Sequence, residues 1–193
     1  MDAVRYYIAL FLVLVMPGVF LFWFSIHPFV RFWRRVGLHL TLTLHFGLIL
    51  LLAYGIFQVR EPLLSMEFGT NPLLIAIATP IFAVAVVLRV KLSQQLPTKV
   101  LLGIPELAPD AYPNKLITDG LYSRIRHPRY VELVLALLAY ALFTNYLAAY
   151  LIVLAGVGWM VLVARVKEKE LHARFGEEYA AYCARVPRFI PKR

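Results

Sequence analysis

Two stretches of the 193-residue chain gather residue types that hold and position polar ligands. One runs from Lys115 to Glu132 and reads KLITDGLYSRIRHPRYVE; the other runs from Glu168 to Pro191 and reads EKELHARFGEEYAAYCARVPRFIP. In the first, Gly120 admits backbone conformations that other residues resist. Arg126 and His127 stand just before Pro128, a residue suited to the first turn of a helix. A helix start presents unpaired N–H groups and a partial positive charge. With Arg126 it can hold a carboxylate or another anion, and His127 adds a ring that donates a hydrogen bond or stacks. The same composition fits a helix that Arg124, Arg126 and Arg129 simply anchor among lipid headgroups, and both readings stand at this point. In the second stretch, Glu168 and Glu170 can hold an ammonium or a ribose hydroxyl. Glu170 and Arg174, spaced i,i+4, equally fit a solvated helix with charge pairs.

Glu132 lies one turn into an apolar segment, where an ionisable group is expensive and usually functional. It serves either as an acid–base or cation-binding group or as an ion-pair partner of Arg129 at i,i+3. As a base it would help an amine, thiol or phenol, whereas a carboxylate nucleophile would be repelled by its charge. The remaining polar candidates read as structural. His39 and His45 are six apart and share a helix face poorly, and a metal site needs convergent ligands. Together with His27 they read as polar groups satisfied between helices. Cys183 is the single cysteine, which excludes an internal disulfide and a cysteine-based metal cluster. Trp23, Trp33 and Trp159 read as interfacial anchors or packing groups.

The elements that position these residues follow from long apolar runs. Hydrophobic residues make up 61% of the chain and charged ones 16%, against about 45–50% and about 25% in soluble domains. Runs at Tyr6–Phe24, Leu38–Phe57 and Leu73–Leu88 are each of a length that crosses or nearly crosses a bilayer. Pro17-Gly18 and Pro80 lie inside two of them, where neighbouring helices can re-satisfy the backbone. The first run is long and has no clear small-x-small site after it, so it reads as a span rather than a cleaved signal. A polar stretch from Arg89 to Arg129 carries Pro97, Pro105, Pro109, Pro113 and Pro128 and is too long for a simple connector. Two further segments, Val131–Phe143 and Tyr146–Val163, are broken only by Thr144-Asn145 and form a helical hairpin, the first beginning near Pro128. A polar tail with a helical pattern up to about Cys183 closes the chain.

The fold expected is therefore an all-α, polytopic membrane protein of about five transmembrane helices with a C-terminal hairpin and a cytoplasmic tail helix. It forms one membrane domain, with three helices in 1–88 and the loop, hairpin and tail in 89–193. With five crossings, every Lys and Arg except Arg5 and Arg60 falls on one side. The positive-inside rule puts that side in the cytoplasm and the N-terminus outside. The net charge of +9 thus reads as a topology signal and not as a nucleic-acid surface.

The two polar stretches resemble the signature of the isoprenylcysteine carboxyl methyltransferase and phospholipid methyltransferase superfamily. The first half of the pattern is carried by Leu116, Gly120, Tyr122, Arg126, His127, Pro128 and Tyr130. The second is carried by Glu168, Leu171, Phe175, Gly176, Tyr179, Tyr182, Phe189, Ile190 and Pro191. The resemblance implies S-adenosylmethionine bound from the cytoplasm between the loop, the hairpin and the tail. It assigns Leu116, Gly120, Leu121 and Tyr122 to the pocket lining. Arg126, His127, Pro128 and Tyr130 would hold the amino-acid end and shape the site. Glu168 would meet a positive or hydroxyl group, with Leu171 beside it, and Arg188 in the closing segment would face substrate or cofactor. Glu132 and Arg188 are the candidates for the chemistry, and no metal is implied. Two positions depart from the pattern: Lys167 replaces the first of a glutamate pair, and Glu132 stands where a small residue is usual. The acceptor is a membrane lipid or another hydrophobic or small molecule, with carboxylate, amine and thiol all open. A nicotinamide-dependent reductase related to sterol reductases and a non-catalytic membrane subunit are the rivals. The whole reading requires Gly120–Tyr130 and the tail around Glu168 to converge and enclose one pocket.

Overall fold

The computed structural model describes residues 1–96, 104–108 and 115–191. Pro97, Lys99, Pro109, Pro113, Lys192 and Arg193, which entered the loop and charge readings, lie outside the described residues, as does the side chain of Pro105. The named elements are helical: α1 (Asp2–Ile26), α2 (Val30–Val36), α3 (Leu38–Gln58), α4 (Arg60–Leu63), α5 (Pro72–Gln95), α6 (Ile104–Leu107), a 3-10 turn (Gly120–Ser123), α7 (Pro128–Thr144) and α8 (Leu147–Arg185). An isolated antiparallel bridge joins Glu67 to Tyr146.

Local sequence explains the main boundaries. Asn71 caps α5, its side-chain oxygen accepting from Leu73 N at 3.0 Å and Leu74 N at 3.3 Å, with Pro72 in the first turn. Asn145 takes a left-handed conformation (φ 55°) and ends α7, at the break expected between the two hairpin helices. The helix α5 continues through polar residues to Gln95, well past the apolar run that ends at Leu88.

Four helices, α1, α3, α5 and α8, are long and apolar enough to cross a membrane. The hairpin helix α7 has 17 residues, about 25 Å at 1.5 Å per residue. Contacts at the helix ends show that α1, α5, α7 and α8 run the length of the bundle. Arg5 at the start of α1 meets Thr144 at the end of α7, while His27 after α1 meets Glu170 of α8 at 3.3 Å. Gln95 at the end of α5 meets Leu121. The residues before α3, after α5 and at the end of α8 therefore gather at one end, called here the motif end. The layers run in order: α3 packs on α1, α1 on α8 and α7, and α7 on α5.

In a bilayer, close van der Waals fit rather than hydrophobic burial holds such helices together. Gly156 of α8 shows this, because a Cβ there would stand 3.1 Å from Leu137 and 3.2 Å from Phe20. The core also stacks Phe20 on Trp159 (centroids 5.1 Å apart), and the Trp159 indole donates to the Phe20 carbonyl at 2.8 Å. Leu44, Leu51, Val84 and Val87 point outward from α3 and α5, as lipid-facing residues should.

At the end opposite the motif, Arg5 is completely buried. Its guanidinium donates to the Thr144 carbonyl at 3.0 and 2.8 Å and to Thr70 Oγ1 at 2.9 Å. It pairs with Asp2 at 3.1 Å and Glu67 at 2.8 Å. Residues 66–69 lie over the hairpin turn, with Phe68 N donating to the Asn145 carbonyl and Leu147 N to the Met66 carbonyl.

Candidate functional site

The helical pattern of the tail is broken at Gly176, whose φ of 51° and ψ of −123° lie outside the helical region. Such a backbone is open to glycine and strained for other residues. The chain bends there and Tyr179, Tyr182 and Val186 pack against Leu116, with Leu171 beside them. The Tyr182 hydroxyl donates to the Tyr122 carbonyl at 2.6 Å. Residues 186–188 then lie along the start of α7: Arg126 N donates to the Pro187 carbonyl at 2.9 Å and His127 N to the Arg188 carbonyl at 3.1 Å. The two polar stretches therefore converge, as expected, but among the described residues the hollow beside the motif is lined by the first stretch and α5 and by no residue of the tail.

Their meeting point is Glu168. Arg126 reaches Glu168 Oε1 through Nε at 3.2 Å and Nη2 at 3.1 Å. His127 Nε2 donates to the same oxygen at 3.0 Å. Arg188 reaches Oε1 through Nε at 3.0 Å and closes on Oε2 through Nη2. Arg126 Nη1 also donates to the Cys183 and Val186 carbonyls at 3.0 and 2.9 Å. Burial would push the Glu168 carboxyl up, but hydrogen bonds from His127 and Arg188 and the charge of Arg126 outweigh it. They hold the carboxyl well below the usual carboxylate range, so it is ionised. Burial lowers His127 below the ordinary histidine value, against the pull of Glu168. Its ring is therefore neutral at pH 7, with the proton on the donating nitrogen. The hydrogen bond from Arg188 to Glu168 raises the Arg188 value. Burial pushes the Tyr122 phenol up to about 12, so it stays protonated.

The other expected residues fall around this knot. Pro128 is buried in the first turn of α7. Tyr130 stacks on His127 (centroids 5.4 Å, planes 11° apart) and meets the Trp159 ring edge-on at 5.8 Å. Glu132 faces a basic environment formed by Arg89 of α5 and Arg129, while the Arg129 guanidinium lies over Trp23 at 5.1 Å. The expected arrangement changes at one point. The anion held beside the α7 start is the chain's own Glu168, and the described hollow beside the motif lies on its other side. That hollow, of about 350 Å³, is lined by Lys91, Gln94 and Gln95 of α5 with Gly120, Leu121 and Arg124. Gly120 and Leu121 were expected at a pocket. The α5 residues were missed, because a polar helix end carries no signal that marks it as a wall.

An all-helical bundle with several membrane-crossing helices, carrying these two motifs at one end, defines a class of integral membrane methyltransferase. The phospholipid methyltransferase family profile matches residues 73–178, more than half of the chain, and the chain belongs to that family. No curated protein and no solved structure matches it.

Proposed function

We propose that this protein transfers a methyl group from S-adenosylmethionine to a hydrophobic or small acceptor reached from the bilayer, at a site facing the cytoplasm. The observation that carries the reading is the convergence of Arg126, His127 and Arg188 on Glu168. The amino-acid end of such a donor bears a carboxylate and an ammonium. The knot offers guanidinium groups to the first and an ionised carboxylate to the second. The hollow at Gly120 and Leu121, of about 350 Å³, suits the neutral adenosine end. When bound, the cofactor supplies an electrophilic methyl on a sulfonium.

The chain's own part is positioning and exclusion of water. Arg126 is fixed by two backbone carbonyls as well as by Glu168, so its guanidinium is pre-oriented. Neutral His127, held by Glu168 and stacked on Tyr130, keeps one ring face and one tautomer. Glu132, in the field of two arginines, takes the acceptor's proton on a carboxylate oxygen. That role suits an amine or thiol more than a carboxylate. A lipid amine agrees with the family's name. The concentration of Lys and Arg at the motif end supports a cytoplasmic position for it.

Titration of the purified protein in detergent with S-adenosylhomocysteine is expected to show saturable binding, with none for NADPH. Binding of NADPH instead would refute the reading. Mass spectrometry of membrane lipids incubated with labelled methyl donor would then identify the acceptor. Glu132→Gln is expected to slow that transfer about 100-fold, as loss of a general base does. Undiminished transfer would remove Glu132 from the chemistry.

A further inference from the structure

We propose that Gln95, the last residue of α5, recognises the adenine edge of the methyl donor; this rests on the reading above and assigns a specificity residue to it. Gln95 lines the hollow beside Gly120 and Leu121. Its Oε1 accepts from Leu121 N at 3.3 Å, which settles the direction in which the amide points. Its Nε2 lies against Gly120, where a Cβ would stand only 1.3 Å away. The glycine, at φ +57°, thus leaves room for this amide and for no larger neighbour. Gln95 and Gly120 form a matched pair across 25 residues of chain.

A carboxamide has two acceptor lone pairs on oxygen and two donors on nitrogen. Leu121 takes one lone pair. What remains is an acceptor beside a donor, the complement of adenine's exocyclic amino group beside a ring nitrogen. Glutamine and asparagine pair with adenine in this two-bond manner. The charge around the hollow agrees with a base rather than with the rest of the donor. Among the described residues its lining has two cations, Lys91 and Arg124, and no acidic side chain. Cations are favourable over an aromatic ring but repel a sulfonium and an ammonium. The charged end of the molecule belongs instead toward Glu168. The volume of about 350 Å³ lies within the range of small-molecule pockets.

The test compares binding of S-adenosylhomocysteine with that of its analogue carrying hydrogen in place of the 6-amino group. Both are titrated calorimetrically against the full-length protein in detergent. Wild type is expected to bind the analogue about tenfold more weakly, for one lost bond of a two-bond pair. In Gln95→Leu the two compounds should bind with equal, reduced affinity. Gln95→Glu keeps an acceptor for Leu121 N and for the amino group but loses the donor. It should bind both compounds more weakly while still preferring the amino compound, and it serves if the leucine variant does not fold. Equal binding by wild type overturns the proposal. So does a leucine variant that keeps the full preference, which would mean that Gln95 only braces the loop. A glutamate variant with unchanged affinities also overturns it. Wild type that binds neither compound refutes the methyl-donor reading itself, and the Gln95 assignment falls with it.

Discussion

The two ends of the bundle each bury an ion-pair knot, and the two have opposite composition. Around Arg5, one cation meets two carboxylates, a hydroxyl and a backbone carbonyl. Around Glu168, one carboxylate meets two guanidinium groups and an imidazole. Arg5 is wholly enclosed and its N–H groups are directed at acceptors of the same chain. Arg188, in contrast, is 37% exposed and stands on a short terminal segment held by few bonds. The first arrangement has nothing left to offer a ligand and ties three parts of the chain together. The second keeps surplus positive charge around one fixed anion, with one of its arginines partly exposed. The same physics of buried ion pairs thus gives a closed fastening at one end and a partly exposed, net positive cluster at the other.

Breaking each knot should separate these roles. The largest effect is expected from Arg5→Leu, which leaves the Thr144 carbonyl and Glu67 without their partner. Loss of a buried charged partner costs about 3 kcal/mol, to be read from denaturant unfolding in detergent. S-adenosylhomocysteine affinity of the folded fraction should not change. Glu168→Gln should do the reverse: a 10- to 100-fold loss of affinity, the equivalent of about 1.4–2.8 kcal/mol, with a smaller loss of stability. If Arg5→Leu abolished binding and Glu168→Gln spared it, the contrast would be wrong.

A smaller effect follows from pH. The folded His127 value lies below the ordinary 6.5, so the unfolded chain takes up that proton first on acidification. Stability is therefore lost as pH falls below about 6.5. The contribution of Glu168, whose folded value is depressed, is complete above its ordinary 4.5 and fades only as pH falls below that. Between about pH 7.5 and about pH 5.5, only His127 of these two acts. Its replacement by Gln should flatten the decline in unfolding temperature, and an unchanged decline would remove His127 as its source.

Much of this architecture is legible in the amino-acid order. Apolar runs locate the membrane helices, Thr144-Asn145 marks the hairpin turn, and the two motifs name Arg126, His127 and Glu168 at one site. Three features are not legible, each for a physical reason. Gly176 sits in a pattern that reads as one continuous helix, and a lone glycine there signals little more than lower propensity. Arg5 stands in the sequence only as one of two basic residues on the outer side, because its partners lie 65 and 139 residues away. Gln95 follows the end of an apolar run and so reads as loop, whereas α5 carries it on to the motif. The place of Glu168 beside the first motif is visible, but not that Arg126, His127 and Arg188 of the same chain are its partners.

The Arg5 fastening also bears on how the protein is made. Helix α1 leaves the ribosome before the hairpin does, yet the acceptors that enclose its arginine include the Thr144 carbonyl, 139 residues later. Contacts this distant in sequence form only after a long loop has closed. Helix α1 must therefore wait, its charge still hydrated, until the hairpin inserts. Completion of that one contact reports that the hairpin turn has arrived.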